Sequence, residues 1–274
     1  MENIQIAWSG LHFGEEPAIS GTKGSGTIFF CRCNLKCVFC QNWQISQGSV
    51  AGKKYGVEEV AKIMLALQRK GINNINLVSP TVWSYFLIKI IPLARKKGLT
   101  IPVVWNSNGD EEISVLRQLG DLGAVDIYLP DYKYSFDNLG EKYSGVKNYS
   151  QKAQKAILAM QKQVGDLIVN KNGIAKKGLI VRHLVLPGFL ENTQKCLKFI
   201  RSISDNICLS LMSQYNPTYK AGKFPEINRS LTHDEYDQVM KMVKDLDFKF
   251  GWIQEFGHAV KCLNPDFYRE NPFN

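Results

Sequence analysis

Residues 27–43 read Thr-Ile-Phe-Phe-Cys-Arg-Cys-Asn-Leu-Lys-Cys-Val-Phe-Cys-Gln-Asn-Trp, a β-branched and aromatic run that passes directly into a cluster of cysteines. The first four residues have the composition of a strand. Four of the chain's seven cysteines fall in this stretch, and Cys33, Cys37 and Cys40 stand at a C-x3-C-x2-C spacing. Three thiolates on one loop at the end of a strand point to a metal site. The N-terminal Met-Glu-Asn-Ile-Gln-Ile has neither a basic n-region nor an apolar h-region, so a reducing, cytoplasmic setting is expected. In that setting seven cysteines indicate thiols or metal ligands rather than disulfides.

Downstream of the cysteines, apolar residues at 57, 60, 61, 63, 64 and 67 follow the spacing of an amphipathic helix over 57–70, ended by Gly71. Residues 75–78, 101–105, 125–129, 179–186 and 207–212 read as further short strands, with 250–253 a candidate last one. Helices are expected between them: one reaching Lys97 and kinked or restarted at Pro92, one over 111–119, and one over 150–163. Another is expected with Asn192 as its N-cap, and the last is opened by the capping box Thr232-His233-Asp234-Glu235.

Strands alternating with helices indicate βαβ units around a parallel sheet. The expected organisation is a single α/β domain over 27–256, an irregular Gly-rich extension over 1–26 and a C-terminal extension over 257–274. Six units suit a partial (β/α)6 TIM-like barrel better than a closed eight-fold one. Right-handed crossovers would gather the C-terminal strand ends on one face, bringing together the cysteine loop, the Asn106-Ser107-Asn108-Gly109 turn and the Asp131-Tyr132-Lys133 turn. No stretch approaches the 18 or more apolar residues that span a bilayer, so a soluble chain without a membrane partner is expected. The formal net charge of +9 suits an acidic partner, but the basic residues are scattered and read as solvated surface. Nucleic acid is the weaker partner because no clustered aromatic and basic stripe accompanies that charge.

A fully ligated [4Fe-4S] cluster takes four cysteine thiolates. Three at a tight local spacing leave one iron open to a ligand that is not protein, which suits a catalytic centre. Alternatives remain at this point. Cys31 is a candidate fourth thiolate, and His12, otherwise a surface or packing residue, could complete a Cys3His zinc site. Cys196, Cys208 and Cys262 share no ligand-like spacing and read as buried structural thiols.

Cys33-x3-Cys37-x2-Cys40 after a first strand, with Phe39 before the last cysteine, resembles the signature of radical S-adenosylmethionine (SAM) enzymes. The resemblance implies a [4Fe-4S] cluster on Cys33, Cys37 and Cys40 whose open iron is chelated by SAM. Reductive cleavage then yields methionine and a 5′-deoxyadenosyl radical, with reduced flavodoxin or ferredoxin as electron donor. Over residues 10–256 the order of strand-end motifs is similar to the branch around pyruvate formate-lyase activating enzyme, which installs a glycyl radical on a partner enzyme. That likeness implies SAM contacts from Phe39, Ser79, Asn106, Ser107, Asn108, Asp131, Lys133, Arg182 and His183. Lys133 would neutralise the SAM carboxylate, His183 would lie near the ribose or methionine, and a monovalent cation would sit near Asp131. Three features depart from the branch: Asn106 stands for an aspartate, Ser79-Pro80-Thr81 for the common Gly-Gly-Glu, and Cys31-Arg32 for small polar residues. Arg182 and His183 alternate along one strand, so both face inward only if a bulge intervenes. The activity implied is hydrogen abstraction from a macromolecule, foremost a glycine of a glycyl-radical enzyme. Another peptide, RNA, a small molecule, or a non-catalytic zinc or iron–sulfur scaffold are the alternatives.

Overall fold

The structure, a computed structural model, describes residues 3–257 and 264–273. Cys262, read above as a structural thiol, lies outside the described residues. The strands are β1 (Ile4–His12), β2 (Ser25–Phe30), β3 (Lys53–Tyr55), β4 (Ile75–Val78), β5 (Val103–Ser107), β6 (Ile127–Pro130), β7 (Ile168–Val169), β8 (Ala175–Leu184), β9 (Cys208–Met212) and β10 (Phe250–Ile253). They form one sheet in the order β10-β9-β8-β6-β5-β4-β2-β1-β3, with β7 on β8. Every pairing from β2 across to β10 is parallel, while β1 runs antiparallel to both β2 and β3.

The helices are α1 (Pro17–Ser20), α2 (Trp43–Ser46), α3 (Val57–Gln68), α4 (Ser84–Lys96), α5 (Ile113–Asp121), α6 (Asp137–Ser144), α7 (Tyr149–Val164), α8 (Leu190–Ile203) and α9 (His233–Asp245). Parallel neighbours cannot be joined by a tight turn, and α3, α4, α5, α7 and α8 lie in the crossovers. The result is a mixed α/β domain on a parallel sheet. Its strands are apolar on both faces because both are covered. On one face Ile28, Leu77, Trp105, Tyr128 and Val181 pack with the helices. On the other, Val104, Ile127, Leu129, Ile180 and Cys208 close around Ala18 and Ile19 of α1.

Three expectations are corrected. Residues 1–26 are not irregular throughout: β1 and α1 occupy half of them, and β1 extends the sheet through β2. α4 runs unbroken through Pro92. Asn192 caps nothing, since α8 begins at Leu190; its side chain instead accepts from Ser135 N (2.8 Å) and donates to Lys133 O (3.0 Å), tying α8 to the loop after β6. Neither α6 nor β3 was expected. The capping box of α9 is present, with Glu235 N donating to Thr232 Oγ1 (3.2 Å) and Thr232 N to Glu235 Oε2 (2.9 Å). Among the described residues no helix is long and apolar enough to cross a membrane.

Candidate active site

Side chains two residues apart on a strand share a face. Past the apolar layer against α1, that alternation brings up Asn106 after Val104, Asp131 after Leu129, Arg182 after Ile180 and Ser210 after Cys208. Glu15 and Glu16, just before α1, reach into the same polar layer. Arg182 is its hub: Nε donates to Asp131 Oδ1 (2.7 Å), Nη2 donates to Asn106 Oδ1 (2.5 Å), and Nη1 lies 3.5 Å from Glu15 Oε2. Glu15 Oε1 accepts from Asn76 Nδ2 (2.9 Å), and Glu16 Oε1 from Ser210 Oγ (2.9 Å). Lys133 pairs with the second Asp131 oxygen. Burial raises the pKa values of Glu15 and Glu16 against the attraction of Arg182. Burial also opposes the Asp131 charge, but Arg182 and Lys133 outweigh it and lower that pKa.

A cavity of about 240 Å³ opens beside this layer at the C-terminal strand ends. Cys33, Cys37 and Cys40 all line it, as do Phe39, Ser79, Asn106, Ser107, Asn108, Asp131, Lys133 and Arg182. The cysteine loop is pinned by Lys36 N and Val38 N donating to the Ser144 and Tyr143 carbonyls, each at 2.8 Å. Polar groups meet the sulfurs: Asn108 Nδ2 donates to Cys33 Sγ at 3.3 Å, Cys37 Sγ lies 3.0 Å from Ser144 Oγ, and Cys40 Sγ lies 3.3 Å from Ser46 Oγ. Burial pushes the Cys37 thiol up to about 11 and, with the charge of Cys37 adding to it, the Cys40 thiol up to about 12. A bound metal would hold them as thiolates all the same. Gly109 joins two of the turns: at φ 85°, a Cβ there would meet Asp131 O at 2.3 Å.

Three thiols on one wall, facing a charged polar wall, fit an iron–sulfur cluster with its fourth side free. Among the described residues no three His, Cys, Asp or Glu side chains are grouped as ligands of a single metal ion. Thiols for a polynuclear cluster stand farther apart than the ligands of one ion. His12 lines the same cavity and packs on Phe273, ring centroids 4.2 Å apart, and burial pushes its pKa down to about 4.

Cys31 does not line the cavity. Arg32, left-handed at φ 71°, turns the chain between Cys31 and Cys33. Cys31 is buried with Phe29, Ile45, Val78 and Phe267, and its sulfur accepts from Gly52 N at 3.2 Å. A Cβ on Gly52 would come within 2.5 Å of that sulfur, so the contact needs glycine. His183 is likewise corrected: it faces α8, with Nδ1 2.7 Å from Tyr132 O and Nε2 3.1 Å from Thr193 Oγ1, and burial pushes its pKa down to about 4. The monovalent cation has no support either, because Arg182 and Lys133 already occupy both oxygens of Asp131. Glu15 and Glu16 were missed; nothing local marks a carboxylate pair in a Gly-rich segment as buried.

The chain matches the radical SAM superfamily over residues 27–200. It is 37% identical over 247 residues to the uncharacterised protein MJ0674 of Methanocaldococcus jannaschii, an alignment covering 85% of this chain and 65% of that one. The chain thus spans less than two thirds of that relative. Among solved structures it is similar to SuiB of Streptococcus suis bound to S-adenosylmethionine (TM-score 0.55, 12% identity, 83% of this chain and 49% of that one), which is also known bound to its precursor peptide SuiA. It is similar too to HydG, a maturase of the FeFe hydrogenase (TM-score 0.54, 14% identity, 81% of this chain and 48% of that one). At these identities the likeness is one of fold. Cys33, Cys37 and Cys40 and the cavity-lining Phe39, Ser79, Asn106, Ser107, Asn108, Asp131, Lys133 and Arg182 fall inside the matched span, and the chain belongs to the radical SAM superfamily.

Proposed function

We propose that this chain is a radical SAM enzyme of the activating-enzyme type. Cys33, Cys37 and Cys40 hold a [4Fe-4S] cluster, SAM takes the rest of the cavity, and the substrate is a macromolecule, foremost a glycine of a glycyl-radical enzyme. The observation that carries the reading is that three thiols and the charged group Asp131, Lys133 and Arg182 line one cavity. When bound, cluster and SAM together supply a radical able to abstract hydrogen, and the protein's part is to bind and orient them. Lys133 and Arg182 put positive charge where a carboxylate can dock. Asp131 and Glu15 put negative charge beside it for the amino and sulfonium groups. Phe39, edge-on to Tyr215 with ring centroids 5.6 Å apart, shields one wall from water.

The same reading takes residues 27–256 as the core and the sheet as a partial (β/α)6 barrel. Neighbouring Glu15 and Glu16 bond to β4 and β9, four strand spacings apart in the sheet. In a flat sheet that is about 19 Å, so strong curvature toward α1 supports the barrel. The cavity measures about 240 Å³. SAM would fill it, and a substrate would meet SAM at the mouth, which favours a loop of a macromolecule; SuiB with SuiA offers a parallel. Reduced flavodoxin or ferredoxin is the proposed electron donor and the cytoplasm the proposed setting.

Anaerobically reconstituted, reduced protein is expected to convert SAM to methionine and 5′-deoxyadenosine. Alanine at Cys33, Cys37 or Cys40 should abolish both cluster loading and cleavage, while Cys31→Ser retains both. Fully loaded protein that yields no 5′-deoxyadenosine would sink the proposal. Mixed with a glycyl-radical enzyme, the active protein should generate a glycyl radical signal by electron paramagnetic resonance. Active SAM cleavage without that signal would remove the activase assignment.

A further inference from the structure

The turn after β4 and the turn after β5 both face the cavity, the first through Ser79 and the second through Ser107 and Asn108. Ser79 holds a left-handed backbone, φ 58°, which a residue with a Cβ adopts only under constraint. Its N–H donates to Asn106 O (3.0 Å), so its conformation depends on the placing of the neighbouring turn. One side chain joins the two. Glu111 is 5% exposed, and its Oε1 accepts from Thr81 Oγ1 in the β4 turn (2.7 Å) and from Trp105 Nε1 of β5 (2.9 Å). The Ser107 hydroxyl stands beside the same carboxyl. Glu111 Oε2 is buried and, among the described residues, has no hydrogen-bond partner.

A carboxylate in this place would keep a full charge out of water with one oxygen bare. A carboxylic acid would not. Oε1 keeps its two donors, and Oε2–H becomes a donor for the hydroxyl beside it. Burial pushes the Glu111 pKa up to about 7 against the hydrogen bonds from Trp105 and Thr81 and the pull of the nearby Ser107 hydroxyl, and Asp110 adds to the rise. The titratable groups that face it are Asp110, which pairs with Lys152 at 3.7 Å, and Tyr128 of β6. Neither brings a positive charge.

We propose that Glu111 works as a neutral carboxylic acid that clamps the turn after β4 to the turn after β5 and so positions Ser79 and Ser107 for SAM. The proposal rests on reading the cavity as a SAM site. Glu111 does not itself line that cavity, so it acts through its neighbours as a positioning residue.

Two measurements separate the clamp from the SAM reading. In the protein without cluster or SAM, Trp105 donates to Glu111, so wild-type tryptophan fluorescence should titrate with a midpoint near 7. Glu111→Gln keeps an acceptor and a donor but cannot ionise, and should lose that titration. In the reconstituted protein, the SAM dissociation constant of wild type should rise relative to Glu111→Gln by about tenfold or more between about pH 6 and about pH 8.5. The amino group of SAM titrates against both proteins and cancels in the ratio. Thr81→Val, which removes one bond of the clamp from the far side, should weaken SAM binding severalfold at both pH values with thermal stability and cluster content close to wild type. The clamp is overturned if wild type and Glu111→Gln share one fluorescence titration, if they share one pH profile of SAM affinity, or if Thr81→Val binds SAM as wild type does. A wild type that titrates as expected yet binds no SAM overturns the SAM reading instead.

Discussion

Arg182 and His183 are neighbours on β8 with opposite roles, because successive side chains leave a strand on opposite faces. Arg182 enters the polar layer beside the cavity and neutralises Asp131 and Glu15, while His183 is sealed between the sheet and α8. Arg182→Met strands two buried carboxylates and should cost about 3–5 kcal/mol in chemical denaturation, with loss of SAM binding. His183→Ala leaves the Tyr132 carbonyl without its partner and should cost about 1–3 kcal/mol with SAM affinity unchanged. Loss of SAM affinity at full stability in His183→Ala would contradict its placement. The alternation itself was legible in Val-Arg-His-Leu. Which face looks at the cavity was not, because a parallel strand covered on both sides is apolar on both. Cys31 shows the same limit: its spacing from Cys33 allowed a fourth ligand, and only the turn at Arg32 removes it from the cavity.

At the scale of elements, α1 is the piece whose importance least matches its length. Four residues cannot hold a helix alone, and its order comes from burying Ala18 and Ile19 against β5, β6, β8 and β9. That burial also aims Glu15 and Glu16, just upstream, into the polar layer. Ile19→Ala should therefore cost about 2–5 kcal/mol in denaturation. It should also weaken SAM binding, although Ile19 does not line the cavity. Wild-type SAM affinity in that variant would break the link between α1 and the site. Helices α3 and α9 were readable because periodicity, caps and capping box act within a few residues. β1 was not: its pairing with β2 is what makes it a strand, and the Ser9-Gly10 step interrupts the pattern.

Over the whole molecule, two sets of buried groups oppose each other as pH changes. Burial pushes His183 and His12 from 6.5 down to about 4, so as pH falls through that window the unfolded chain takes up protons that the fold refuses, and stability is lost. Burial pushes Glu111 from 4.5 up to about 7, so as pH rises through that window the unfolded chain ionises first, and stability is again lost. Each shift is worth at most about 3 kcal/mol, and His12, being partly exposed, is worth less. Between about pH 4.5 and 6.5 the slopes cancel in part. Glu111→Gln should then show stability climbing with pH across that range more steeply than wild type, and His183→Gln less steeply, each by urea denaturation. Identical slopes in both variants would mean that neither group is held as described.

What the sequence determined by itself was whatever is local along the chain. The spacing of Cys33, Cys37 and Cys40 after a strand, the alternation of strands with amphipathic helices, and the polar residues at successive strand ends are all written within short windows. These sufficed for a parallel α/β fold and for a loop of three cysteines at its C-terminal edge. The tertiary structure alone decided which of these groups share a cavity. Glu15 meets Arg182, and Glu111 meets Thr81, across chain separations that no periodicity spans. Burial then set their protonation. A carboxylate in sequence is a surface group by default, and it becomes a neutral acid or the partner of a buried arginine only when folding removes the water around it.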